Sequence, residues 1–105
     1  MVDAELDELK REFLAEAGEK VREMETALEG QRTDDGLQRL RYLAHQLKGS
    51  GGSYGYQRIS ADAAAIEKAV EGITTAGIDS RTEEKIRMHV ANLRAEIEKR
   101  LKELR

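Results

Sequence analysis

The residues from His45 to Gly55 hold the side chains best suited to chemistry in this chain. They read His-Gln-Leu-Lys-Gly-Ser-Gly-Gly-Ser-Tyr-Gly and lie within a helical apolar pattern. On a helix, residues three and four positions apart are neighbours on one face. Lys48 therefore lies beside His45, and Gly49 leaves bare backbone there. A cation and open access suit an imidazole that carries a phosphoryl group and is approached by another protein.

The turn of the helix predicts that His45 faces solvent. At 3.6 residues per turn, the apolar positions cluster in a sector roughly 100° wide, and His45 lies roughly 140° from its middle. This stripe of the helix has two cations and no carboxylate, which suits a group that becomes an anion. The neighbours predicted on the face of His45 include Gln38, Arg41, Tyr42, Lys48, Gly49 and Gly52.

The glycines after Lys48 leave two local structures open. Each glycine inside a helix costs roughly 0.5–1 kcal/mol relative to alanine, so the helix can end near Lys48 and a flexible loop can follow. Alternatively, the helix continues to about Tyr54 and the glycines serve packing or access. The apolar period persists through the glycines and favours continuation, as shown by Leu40, Ala44, Leu47, Gly51 and Tyr54.

The second histidine and the glycines give no other recognisable site. His89 lies in a charged run without small residues beside it, and we interpret it as an ordinary surface residue. Two well-separated histidines and no cysteine give no metal-binding pattern. The glycine-rich stretch is not a P-loop, because no Gly-Lys-Ser/Thr follows it. We therefore expect no metal and no cofactor on this chain.

Four segments have apolar residues in steps of three and four, which predicts amphipathic helices. Polar connections are expected from Gly30 to Gly36 and from Gly72 to Asp79. Helix caps are expected at Thr33 or Asp34, at Gln57 or Ser60, and at Asp79 or Ser80. The segments run from Asp3 to about Glu29, Leu37 to about Tyr54, Ile59 to Ile73, and Ile86 to Leu104.

These segments predict an all-α fold, an antiparallel up-down four-helix bundle, in a single domain over residues 1–105. The 18 basic and 21 acidic residues are interleaved and give a net charge of −3, which argues against a nucleic-acid partner. No apolar run approaches the roughly 18 residues of a membrane span, and the acidic start has no signal-peptide core. We expect a cytoplasmic protein that uses no membrane.

The stretch Ala44-His45-Gln46-Leu47-Lys48-Gly49-Ser50, followed by Gly55 and Arg58-Ile59, resembles the histidine phosphotransfer (HPt) domain. The run from Gly51 to Tyr56 is similar also to the phosphotransfer domain at the N-terminus of chemotaxis-type histidine kinases. The resemblance implies that His45 is phosphorylated and Lys48 lies beside the phosphoryl group. It implies that Gly49 leaves room for the partner and that Gly55 closes the helix.

The resemblance also implies a phosphorelay intermediate, which takes a phosphoryl group from an aspartate or kinase and passes it to a receiver-domain aspartate. The partners are then a histidine kinase and receiver domains, with Mg²⁺ on the receiver only. We expect a monomeric phosphocarrier without autokinase activity, because the chain is too short for an ATP-binding domain. A sensor-kinase dimerisation helix fits less well, since Gln46 follows the histidine and there is no proline. The alternative is a non-catalytic helical adaptor or structural bundle.

Overall fold

Four helices and no strand form the described part of the chain, residues 2–29, 33–73 and 77–104 of a computed structural model. Both α1 and α3 pack against α2 and against α4. This ring of neighbours fits a four-helix bundle, and the four predicted helices are confirmed. The helices are α1 (Val2–Glu29), α2 (Asp34–Ser53), α3 (Gln57–Glu71) and α4 (Ser80–Glu103).

Two of the helix starts have the side-chain caps that the sequence predicts. The Thr33 hydroxyl accepts a hydrogen bond from the Gly36 amide at 3.0 Å, and the Asp79 carboxylate accepts one from Thr82 at 2.7 Å. The predicted connection from Gly30 to Gly36 is too long, because α2 already begins at Asp34. Residues 30–32 and 74–76 of the predicted connections lie outside the described residues.

The second helix continues through the glycines and ends at Ser53. The prediction of continuation is confirmed, and the alternative of an end near Lys48 is wrong. Gly55 follows with a φ of +84°, a conformation that glycine adopts without strain. This glycine turns the chain directly into α3, so α2 and α3 become close neighbours.

The core lies between the four helices, and one part of the predicted apolar stripe of α1 lies outside it. Leu6 and Leu9 are 41% and 49% exposed. The Arg11 side chain already reaches the Leu104 carbonyl at the end of α4, so the turns of α1 before it extend past that helix. The largest fully buried side chains are Leu14, Met24, Leu28, Leu40, Leu43, Leu47, Ile59, Ile66, Ile86, Leu93 and Val21.

Candidate functional site

The predicted direction of His45 is confirmed. It lies in the middle of α2, and its side chain is 64% exposed. Lys48 follows one turn later and is partly exposed. Gly49 is exposed, and a Cβ placed on it would have no atom within 4 Å. The imidazole therefore has a cation and an open backbone surface beside it.

A carboxylate from α3 completes this group. Glu67 Oε2 lies 2.7 Å from His45 Nδ1, and Glu67 Oε1 lies 2.7 Å from Lys48 Nζ. The glutamate is only 7% exposed. The expectation of a face without a carboxylate is therefore wrong for the assembled site, because the neighbouring helix supplies one to the face of α2.

Glu67 fixes the protonation pattern of the site. The hydrogen bond from Lys48, followed by that from His45, holds the pKa of Glu67 below its ordinary value of 4.5, although burial acts in the opposite direction. The ionised carboxylate only accepts hydrogen bonds, so Nδ1 of His45 donates. In the neutral ring the lone pair then lies on Nε2. In this tautomer Nε2 is the ring nitrogen with a lone pair free for an incoming group.

The other residues predicted on this face line the rim of the site. Arg41 pairs with Glu71 of α3 at 3.2 Å, so its charge is partly compensated. Tyr42 is half exposed, and its hydroxyl accepts a hydrogen bond from Gln46 at 2.8 Å. The Arg39 guanidinium lies 5.4 Å from the centre of the Tyr42 ring. The exposed ring is therefore held from two sides.

Gln38 and Gly52, the remaining two predicted contact residues, are also exposed. Gly52 lies at the edge of the α2–α3 interface, where a Cβ would lie 3.7 Å from the Ser60 hydroxyl. The α2 surface on the C-terminal side of His45 therefore projects little into solvent, because two of its exposed positions, Gly49 and Gly52, have no side chain.

The sequence interpretation missed Glu67. In the sequence it stands on the buried face of the third helix, between the apolar residues Ala63, Ile66 and Val70. A carboxylate is rarely buried unless it is paired. An acidic residue on an apolar stripe was therefore the available signal that α3 offers a partner to its neighbour.

The interpretation of His89 as an ordinary surface residue is wrong. Its side chain is 16% exposed, and Nδ1 lies 2.8 Å from Asp62 Oδ1. Asn92 lies 3.4 Å from the same oxygen. These contacts link α4 to α3, because His89 and Asn92 of α4 and Asp62 of α3 lie at the interface between the two helices. The low exposure distinguishes His89 from His45, although both rings use Nδ1 on a carboxylate.

Within residues 2–29, 33–73 and 77–104, no group of three or more histidine, aspartate or glutamate side chains could hold a metal ion. The predicted lack of a cofactor stays a prediction. None of the helices in these ranges is long and apolar enough to cross a bilayer.

A family model for the Hpt domain matches residues 8–105, nearly the whole chain. No match was found among curated proteins or solved structures. Hpt domains act in the phosphorelays of two-component signalling, where they interact with kinases and receiver domains. The chain therefore belongs to the Hpt domain family.

Proposed function

We propose that this protein is a phosphorelay intermediate that carries the phosphoryl group on His45. It accepts the group from a kinase or a receiver aspartate and passes it to a receiver aspartate. The observation that carries the proposal is the exposed His45 ring, whose Nδ1 is bonded to Glu67 beside the Lys48 ammonium. This arrangement presents a free Nε2 to an incoming partner.

Transfer to His45 is a substitution at phosphorus. The Nε2 lone pair attacks in line, the nitrogen–phosphorus bond forms, and the bond from phosphorus to the aspartyl oxygen breaks. The aspartate leaves as a carboxylate. The histidine ring keeps its proton on Nδ1 and becomes cationic, and the adjacent Glu67 carboxylate stabilises that charge. Transfer to the next receiver reverses these steps.

Lys48 supplies positive charge to the phosphoryl oxygens. Its ammonium has three donors, of which one reaches Glu67. The others remain for the oxygens of a phosphoryl group on the neighbouring Nε2. Phosphoryl transfer depends mainly on such positioning and charge stabilisation. Mg²⁺ belongs to the receiver in this proposal.

The partner surface consists of the exposed face around His45. Gly49 and Gly52 leave room for a receiver, and the rim holds Gln38, Arg41 and Tyr42. We propose further that the protein is a cytoplasmic monomer of one domain, without membrane or nucleic-acid partners. An antiparallel order of the helices is supported by contacts of early α2 with late α3 and of late α2 with early α3, in the pairs Arg41–Glu71 and Lys48–Ser60.

Labelling with a phosphorylated receiver or with phosphoramidate, followed by intact mass measurement, tests the proposal. We expect one phosphoryl group per chain, labile in acid and stable in base, as a phosphorus–nitrogen bond requires. His45→Gln should remove it. An acid-stable adduct would point to Ser50 or Ser53 instead. A folded protein that takes no phosphoryl group from any donor would favour the non-catalytic adaptor.

A further inference from the structure

The start of α3 is hydrogen-bonded directly to the last turns of α2. The Tyr56 amide donates to the Gly51 carbonyl at 2.8 Å. The Ser60 hydroxyl donates to the Lys48 carbonyl at 2.8 Å. Ser60 therefore contacts the backbone of a residue that belongs to the phosphoryl site. Both bonds end on backbone carbonyls of α2, so the start of α3 lies directly against the α2 backbone.

Gly51 makes this close approach possible. It is buried, and a Cβ on it would lie 3.1 Å from the Ser60 amide nitrogen and 3.2 Å from Ile59 Cγ2. Both distances are shorter than ordinary van der Waals contacts, and a backbone nitrogen cannot rotate away as the end of a flexible side chain can. Any side chain at Gly51 therefore moves α3 away from α2 by a few tenths of an ångström.

The same face of α3 carries Glu67 to the site. Seven residues separate Ser60 from Glu67, which corresponds to two helical turns and a rise of roughly 10 Å. Both side chains therefore point towards α2. A helix moves as a stiff rod over two turns, so a displacement at Ser60 also displaces the Glu67 carboxylate from His45 and Lys48.

We propose that Gly51 and Ser60 are positioning residues of the phosphoryl site, because the close α2–α3 contact that they form sets the distance from Glu67 to His45. The inference rests on the proposed role of His45 as the phosphoryl acceptor. Gly51 and Ser60 act through Glu67 and do not touch the reacting atoms.

A looser contact has two measurable consequences. The bond from His45 Nδ1 to Glu67 weakens, so more of the neutral ring carries its proton on Nε2, where it blocks the nucleophile. Phosphorylation slows by about three- to tenfold, since a misplacement of about 1 Å can cost about a hundredfold.

Gly51→Ala and Ser60→Ala test the proposal, with Gly18→Ala as the matched control. Gly18 also lies inside a helix, but a Cβ on it meets no atom within 4 Å. The readouts are the rate of labelling by phosphoramidate and the nitrogen NMR signals of the His45 ring. We expect slower labelling and more Nε2–H ring in both test variants, and neither change in the control. Ser60→Ala adds no atom, so it still tests the proposed positioning of Glu67 if Gly51→Ala does not fold.

A double-mutant cycle with Glu67→Ala separates positioning from general loss of stability. If Ser60 acts through Glu67, then Ser60→Ala slows labelling in the wild type and has no further effect in the Glu67→Ala background. Equal slowing in both backgrounds, or unchanged His45 signals in Ser60→Ala, would overturn the inference. If the wild type takes no phosphoryl group, the proposed function fails, and the His45 signals still report whether Gly51 and Ser60 position Glu67.

Discussion

Glu67 Oε2 lies 2.7 Å from His45 Nδ1, although the two residues are 22 positions apart in the chain. The same carboxylate binds Lys48 through its other oxygen. One buried side chain of α3 thus orients the ring of His45 and holds the neighbouring ammonium. In the proposed function, the reactivity of the His45 ring therefore depends on how closely α3 packs against α2.

Glu67→Gln should slow phosphorylation of His45. The amide is uncharged and has an NH2 donor in place of one of the two accepting oxygens, so either His45 or Lys48 loses the oxygen that it contacts. It also stabilises the cationic phosphorylated ring less. We expect labelling by phosphoramidate to slow about tenfold or more, because a hydrogen bond to a charged group contributes about 1.5–3 kcal/mol.

Glu96→Gln is the matched control for that variant. Glu96 is also a buried carboxylate, and it is paired with Arg100 at 2.7 Å on α4. Its loss should cost stability without changing the rate of labelling. Equal slowing in both variants would show that the effect comes from general destabilisation and that Glu67 has no special role.

The stability contributed by Glu67 should depend on pH. The pKa of Glu67 is held below its ordinary value of 4.5 in the folded protein, so the folded state favours the carboxylate. The contribution is therefore fully present above pH 4.5 and is lost as the pH falls from there through the lowered pKa. Urea unfolding of wild type and Glu67→Gln at several pH values measures it. The difference in free energy of unfolding between the two proteins should shrink on acidification. A difference that grows would contradict the lowered pKa of Glu67.

The two histidines should differ in phosphoryl labelling after substitution by glutamine. His45→Gln removes the acceptor, but the glutamine amide can still donate a hydrogen bond to Glu67, so stability should fall by about 1 kcal/mol or less. His89→Gln should keep labelling and lose about 1 kcal/mol, because a half-buried hydrogen bond to Asp62 is disturbed. Thermal unfolding and intact mass measure both effects. Phosphoryl transfer to His89 in the His45 variant would contradict the assignment.

The parts of the structure that follow from local sequence were predictable. Helix periods gave the four helices and the outward direction of His45, and short polar residues gave the caps at Thr33 and Asp79. Each of these features depends on residues within a few positions of one another. Continuation of α2 through its glycines was also visible, because the apolar period places Gly51 on the core side.

The contacts between helices were not predictable to the same degree. Glu67 reaches His45 only when α3 has a particular rotation and distance relative to α2, and neither follows from the period of one helix. The same limit explains Leu6 and Leu9. Their spacing fits the apolar stripe of α1, but their exposure depends on where the neighbouring helices end.

Tyr42→Ala should weaken transfer from a receiver without affecting labelling by phosphoramidate. Tyr42 lies one turn before His45, and Gln46 and Arg39 hold its exposed ring in place. A fixed aromatic ring is a common source of binding energy at interfaces. We expect about a fivefold or greater loss of receiver affinity, equivalent to about 1 kcal/mol.

Met88→Ala is the control for Tyr42→Ala. Met88 is equally exposed, but it lies on α4. It should keep normal transfer. Equal losses in the two variants, or slower phosphoramidate labelling of Tyr42→Ala, would contradict a role for Tyr42 in docking.

Substitutions of Gly49 should separate access from stability. No atom lies within 4 Å of a Cβ at this position, and the helix continues past it. Gly49→Ala should therefore raise the free energy of unfolding by roughly 0.5–1 kcal/mol, the helix preference of alanine over glycine. The added methyl group stands one turn from His45, so transfer from a receiver should slow modestly. Gly49→Gln should nearly abolish transfer, because a long side chain there occupies the space that the receiver needs.

Gly18→Gln provides the comparison for the bulkier variant of Gly49, because Gly18 is an open helical glycine on α1. Gly18→Gln should keep normal transfer, which would show that a bulky side chain on a helix surface is harmless away from His45. Phosphoramidate is small enough to pass the glutamine, and Gly49→Gln should still be labelled by it. Normal receiver transfer in both Gly49 variants would mean that the receiver docks elsewhere. Slow phosphoramidate labelling of Gly49→Gln would instead mean that the side chain disturbs His45 itself and that Gly49 matters for the ring rather than for access.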